Sequence, residues 1–232
     1  MRTLRRWLWR AAGVLVVIVA LYQAWVFAHV WWWIEHNPAS SSFMDAHLEG
    51  PGAALRAARL RHRWVSYEQI SDNLKRAVVA AEDAKFLEHE GFDWQGMYRA
   101  LALDLRKHKV VAGGSTISQQ LAKNLFLSGR RTPWRKAEEA LITLMLERMM
   151  SKRRILEIYL NVIEWGDGVF GAEAAALRYF NTSAARLSPE RAARLAAIVP
   201  NPRFYEKHPS APGLRSKTAI ILGRIGSAEI PD

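Results

Sequence analysis

No cysteine occurs in the 232 residues, which excludes a disulfide framework, a thiolate metal site and a cysteine nucleophile while leaving both oxidising and reducing compartments open. The phosphate-binding spacing Gly-x-x-x-x-Gly-Lys-Ser is also missing, so the chain is not a P-loop nucleotide binder. Neither an internal repeat nor a long alternating apolar/polar run is present, which argues against solenoids and against a fold built mainly on sheet. What is abundant is apolar and positive. Half the residues are apolar, enough for a buried core, and 33 Lys and Arg against 22 Asp and Glu leave a formal charge of +11. That balance excludes intrinsic disorder and favours polyanions: nucleic acid, anionic lipid or a phosphorylated substrate.

The first forty residues narrow that choice. Arg2, Arg5, Arg6 and Arg10 (1–10) precede Ala11 to Ile34, about 24 residues whose strongly polar members are Gln23 and His29. At about 1.5 Å per residue such a helix crosses a bilayer. Trp7 and Trp9 stand at one end and Trp31, Trp32 and Trp33 at the other, where indoles prefer the headgroup layer. After Arg10 the next Lys or Arg is Arg56, so the positive-inside rule places the N-terminus in the cytoplasm and the rest outside, where nucleic acid is excluded as a partner. The run exceeds a typical signal-peptide core, so an uncleaved anchor is expected.

Residues 35–65 read as a linker, with Asn37 to Gly52 rich in Ser, Pro, Gly and Ala. Residues 66–224 carry helical periodicity and are expected to form one mainly α catalytic domain, followed by a short tail, 225–232. Four segments hold more polar residues than helix packing requires. Ser71 can cap a helix bearing Leu74, Ala77, Val78 and Ala81, which brings Glu82 to the edge of an apolar stripe. Desolvation there raises a carboxyl toward the pKa of a working base, and continued helix would put Phe86 and His89 on the same face. A solvated edge residue fits the periodicity as well. Gly113 to Asn124 is a glycine turn feeding a helix with the capping-box pair Thr116 and Gln119; Ile117, Leu121 and Leu125 face inward, and Thr116, Gln120, Lys123 and Asn124 form a polar stripe. Thr132-Pro133 opens a helix through Arg135, Lys136 and Glu139 to Glu147, apolar nearly all round toward its end, so Glu147 needs a partner, Arg148 or Lys152 being in reach. Ser151 caps a fourth helix through Tyr159 and Asn161, after which three glycines surround Trp165, Asp167 and Phe170.

Taken in order, Glu82 to Asp93, Gly113 to Asn124, Arg135-Lys136 through Glu139 to Glu147, and Ser151-Lys152 through Tyr159 to Asn161 resemble the peptidoglycan glycosyltransferases, family 51 of the glycosyltransferases. The resemblance spans roughly Ser66 to Pro209. It departs mildly at Ser118, where the family usually carries Thr, and at Asp167, where Asn is common. Monofunctional members of that family have a single anchor and lack a transpeptidase domain; the Ser-x-x-Lys motif of such a domain is missing, and the residues after Ser210 are too few to hold one.

The resemblance implies an all-α, lysozyme-like domain with a smaller membrane-associated jaw, polymerising lipid II into β-1,4-linked glycan with inversion at the anomeric carbon and release of polyprenyl diphosphate, at the periplasmic face of a bacterial inner membrane. It makes Glu82 the base and Glu147 the second catalytic carboxylate, which orients cations or holds a divalent ion, Mg2+ or Mn2+. Lys123, Arg135, Lys136 and Lys152 become diphosphate ligands; Asp83, Phe86, His89, Ser115, Thr116, Gln120 and Asn124 become substrate-binding residues. Implied partners are lipid II, the growing glycan strand, membrane lipids and other cell-wall synthesis and division proteins. The jaw, Trp94 to Val111, mixes apolar and basic residues as a helix on an anionic membrane does. The alternative is a membrane-anchored, lysozyme-like hydrolase or lytic transglycosylase. Such an enzyme needs a protonated acid at the leaving sugar and gains little from many cations, whereas a diphosphate leaving group needs cations more than a proton donor.

Overall fold

The computed structural model describes residues 2–107, 114–127 and 133–232, in two units, Met1–Asn37 and Pro38–Asp232. The first is one helix, α1 (Arg2–Trp32), apolar and long enough over Thr3–Trp32 to cross a membrane. It starts ahead of the expected 11–34 span because the basic lead-in is helical as well, arginine being a good helix former.

The second unit begins inside the expected linker, and that segment is folded. Helices α2 (Ser42–Leu48) and α3 (Ala53–Arg59) and strand β1 (Arg61–His62) occupy most of it. Its glycines make turns and not slack. Gly50 and Gly52 both have φ near +80°, a region glycine enters without penalty, and Arg56 ties the turn by donating to the His47 and Pro51 carbonyls at 2.5 and 2.8 Å. Ser42 Oγ donates to the Leu125 carbonyl at 2.9 Å, joining α2 to the helix that carries Leu125.

The core is helical. Helix α4 (Asp72–Glu82) is capped by Ser71 and buries Leu74, Ala77, Val78 and Val79. Further on come α5 (Trp94–Lys107), α6 (Ile117–Phe126), α7 (Pro133–Met149) and α8 (Lys152–Val162). Thr132, the expected cap of α7, lies outside the described residues, as do Gly113 and residues 108–111 of the jaw segment. Helix α6 packs on α7 and α8, burying Ile117, Leu121 and Leu125 as their spacing requires. A hairpin follows, β2 (Glu164–Gly166) and β3 (Val169–Phe170), and the three short strands form one sheet of order β1-β3-β2, with β1 parallel and β2 antiparallel to β3. The hairpin leads into α9 (Ala172–Phe180) through Gly171, whose φ is +82° and whose missing Cβ would lie 2.7 Å from the Asn161 carbonyl oxygen. Asn161, fully buried, answers both backbone polar groups of Val65 at 3.0 Å.

Helices α10 (Pro189–Ile198), α11 (Pro202–Lys207) and α12 (Pro212–Leu222) complete the domain, α10 packing against both α4 and α12. The expected C-terminal tail folds back on the domain: Tyr67 donates its hydroxyl to the Pro231 carbonyl at 2.6 Å, and Arg76 of α4 reaches the Ala228 carbonyl. Among the described residues nothing covers one face of α5. Trp94, Tyr98, Leu101 and Leu105, spaced i, i+4, i+7, i+11, are all exposed and form a single apolar stripe.

Candidate active site

Glu82 is the last residue of α4, where the chain leaves the helix. The expected continuation of one helical face through Phe86 and His89 does not occur, because Asp83 is drawn out of the helix by better partners elsewhere. With φ −160° and ψ 72°, Asp83 is buried and its Oδ2 accepts the Ile117 N–H at 3.0 Å, an orphan donor at the start of α6, while Oδ1 accepts from His89 Nε2 at 2.9 Å. A carboxylate at a helix N-terminus outcompetes one more turn of α4. Phe86 is fully buried, and the Lys152 ammonium lies 4.6 Å over its ring. These three residues are thus committed to protein partners and hold the loop in shape.

Helix α6 organises the two carboxylates. Its N-cap, Thr116, is buried; the hydroxyl accepts the Gln119 N–H at 3.2 Å and donates to the Gly91 carbonyl at 2.7 Å, so it is saturated by the scaffold. Ser118 and Gln120 are two residues apart, about 200° around a helix, and reach to opposite sides. Gln120 Nε2 donates to Glu82 Oε2 at 2.8 Å on one side, and Ser118 donates its hydroxyl to Glu147 Oε1 on the other. The hydroxyl that Ser shares with the family's usual Thr is the part in use.

Glu147 is a buried ion-pair partner. Its Oε1 takes Lys152 Nζ at 2.9 Å besides Ser118, and Lys152 also donates to the His89 carbonyl at 2.6 Å, while Arg148 turns away toward Glu90. Gly91 makes this approach possible: with φ +92°, a Cβ there would lie 2.8 Å from Thr143 Cγ2 and 3.0 Å from Glu147 Cγ. The contacts from Ser118 and Lys152 both fall on Oε1 of Glu147, so the Lys152 ammonium already supplies positive charge beside this carboxylate. Among the described residues the metal-ligating side chains that do converge are His47, Glu164 and Asp167, and Arg203 already sits 2.8 Å from Glu164 and 3.7 Å from Asp167.

Glu82, by contrast, lies near cations but forms no ion pair with one among the described residues. Burial pushes its carboxyl above the usual carboxylate range, against the Gln120 bond and the charges of Lys217 and Lys123, which favour the ionised form. Lys123 lies 5.8 Å over the Phe43 ring, and burial lowers its ammonium from the ordinary lysine value while Glu139 and Glu82 support it. Glu139 is buried and pairs with Arg135 at 3.3 Å and with Lys136. Asn124 is buried and donates to the Gln120 carbonyl at 2.8 Å; Ser115 is exposed. Two cavities of about 230 and 210 Å³ share Glu82 and Arg224; the first adds Arg99 and Ser115, the second Lys217. A larger cleft of about 790 Å³, walled by His89, Phe92, Trp94 and Leu144, does not include Glu82.

Arg99, Lys217 and Arg224 were not singled out from the sequence. Their signal would have been weak, single basic residues on amphipathic helices, until the fold brought α5 and α12 to the end of α4. Phe43 was missed because its segment read as linker.

A half-buried carboxylate with Lys123 and Lys217 near it, on a helical scaffold, has the groups to take a proton beside an anionic substrate. The chain belongs to the transglycosylase family, which matches residues 51–225. It is 62% identical over 223 residues to a protein of Methylobacillus flagellatus called biosynthetic peptidoglycan transglycosylase, covering 96% of this chain and 97% of that one. Proteins of the same description from Nitrosospira multiformis and Thiobacillus denitrificans are 58% and 56% identical, the latter over the full length of both chains. It is accordingly a glycosyltransferase.

Proposed function

We propose that this enzyme polymerises lipid II into peptidoglycan glycan strands, with Glu82 as the base. The growing strand is linked through an α-anomeric bond to a polyprenyl diphosphate. The C4 hydroxyl of an incoming lipid II attacks that anomeric carbon from the opposite face, giving a β linkage by inversion. Glu82 takes the hydroxyl proton as the new bond forms, and the diphosphate departs with the electrons of the old one. Two lipid diphosphates must be held at once, one leaving and one on the acceptor. The observation that carries the reading is that Glu82 lies between two cationic groups: Lys123, with Arg135 and Lys136 nearby through Glu139, on the α6–α7 side, and Lys217 and Arg224 on the α12 side. We assign the first to the leaving diphosphate, where developing charge is stabilised, and the second, with Arg99, to the acceptor. Glu147 and Lys152 keep α6, α7 and the 83–91 loop in register.

Helix α1 anchors the chain in the bacterial inner membrane with the N-terminus in the cytoplasm and the domain in the periplasm, and the α5 stripe rests on the same bilayer, flanked by Arg99 and Arg106. These assignments are supported by the length and apolarity of α1 and by the arginine asymmetry about it. The raised Glu82 carboxyl also suits the acid of a lysozyme-like hydrolase, and substrate decides between the two. Purified full-length protein in detergent, given labelled lipid II, is expected to yield polymer and free polyprenyl diphosphate. Cleavage of preformed glycan with no polymer from lipid II would replace the transferase with the hydrolase.

A further inference from the structure

We propose that Tyr159 is a positioning residue for the transfer, its phenol fixing which end of the Gln120 amide faces Glu82; this rests on the assignment of Glu82 as the base. Tyr159 is fully buried in α8 between Ile158 and Leu160, both also fully buried. A phenylalanine would fill that space as well, so the hydroxyl needs a reason to be there. It donates to Gln120 Oε1 at 2.8 Å, and Gln120 Nε2 donates to Glu82 Oε2 at 2.8 Å. The amide therefore bridges α8 and α4.

The two ends of an amide are nearly the same size and differ only in hydrogen-bond sense. A carboxylate can only accept. The phenol stays protonated, since burial and the nearby Glu82 and Asp83 carboxylates push its ionisation well above the ordinary range, so it always has a proton to give. Both neighbours select the same orientation. A flipped amide would set its carbonyl oxygen against the Glu82 carboxylate and its N–H groups against the phenol. Without the phenolic proton, only the carboxylate orients the amide, and the directed bond to Glu82 weakens. Among the described residues the other charged groups acting on Glu82 are Lys123 of α6, Lys217 of α12 and Asp83 next in the chain, with Lys85, Asp93, Arg99 and Arg224 lining the cavities it shares. They act on it as charges. Gln120 acts through a bond to one oxygen.

The consequence is a pH signature. A hydrogen bond to the ionised form favours that form, so losing it lets Glu82 hold its proton to higher pH, and the acid limb of turnover moves up. In full-length enzyme polymerising lipid II, Tyr159→Phe is expected to lower kcat about two- to tenfold at neutral pH, with KM unchanged and activity recovering toward wild type at alkaline pH. In a Gln120→Ala background the same substitution should change nothing further. A 3-fluorotyrosine at position 159, a stronger donor of the same shape, should move the acid limb the other way, and it tests the idea even where Phe destabilises the core. A parallel loss at every pH, an undiminished effect without Gln120, or no displacement by the fluorinated residue would overturn the proposal. Should Glu82→Gln polymerise normally, the base assignment and this inference fall together; should it be inactive while Tyr159→Phe behaves as wild type, only the positioning role falls.

Discussion

Glu82, the proposed base, is kept at the expense of the fold. Its carboxyl is held above the ordinary value in the folded chain, so the folded state binds that proton more tightly than the unfolded state does. The stability contributed by this group is fully present below the ordinary carboxylate pKa and is lost as pH rises through the folded value. Glu82→Gln, which cannot ionise, is therefore expected to melt above wild type at neutral pH and level with it in acid, as thermal unfolding at the two pH values would register; a lower melting point at neutral pH would contradict the burial argument. Removal of a cation beside the leaving group has a different outcome. Lys123→Ala and Arg135→Ala each forfeit a charge-assisted contact of about 1.5–3 kcal/mol, roughly ten- to a hundredfold in turnover, measured as polymer formed per unit time. Unchanged turnover in both would remove them from the diphosphate site. The position of Glu82 at the edge of an apolar stripe was legible from helical spacing, while its role as base came from the family resemblance alone. Gln120 was legible only as one polar residue among several, since its bond to Glu82 joins residues 38 apart in the chain.

Helix ends carry the site, and the local rules read some of them well. Ser71, Thr116 and Ser151 cap α4, α6 and α8 as their sequences require. The exit from α4 was not legible, because it depends on Asp83 finding the first turn of α6, a tertiary contact that no local pattern encodes. The partner of Glu147 was open between Arg148 and Lys152 for a similar reason: which cation a carboxylate near a helix end meets is decided by how α8 starts beside α7. The same dependence makes Gly91 critical. Gly91→Ala would place a side chain at a left-handed φ and against Thr143 and the Glu147 stem, so destabilisation by about 1–3 kcal/mol is expected, with activity falling as Glu147 is displaced. Thr116→Val, which keeps volume but removes the cap and the bond to Gly91, should cost about 1–2 kcal/mol. Denaturant titration of both variants is the check, and wild-type midpoints would deny these contacts any weight.

At the scale of the whole molecule, the proposed membrane placement rests on the charge asymmetry about α1 and the exposed apolar stripe of α5. A reporter active only outside the cytoplasm, fused after Asp232, should be active, and activity from a cytoplasm-only reporter there would reverse the topology. Removing residues 1–37 should leave binding to anionic vesicles that weakens with salt, as a basic, apolar helix face requires; complete loss of binding at low salt would discard the membrane role of α5. The long apolar helix and the helical class were readable from composition and periodicity, whereas the folded start of the second unit and the returning C-terminus were not, because both are held by single side chains, Arg56, Tyr67 and Arg76, reaching backbone carbonyls. The account as a whole turns on Glu82 as the base for polymerisation. Glu82→Gln, in a folded, membrane-embedded preparation supplied with lipid II, is expected to lose at least the ~10²-fold in polymerisation typical of general-base removal while still binding lipid II. Wild-type rates of polymer formation by that variant would contradict it.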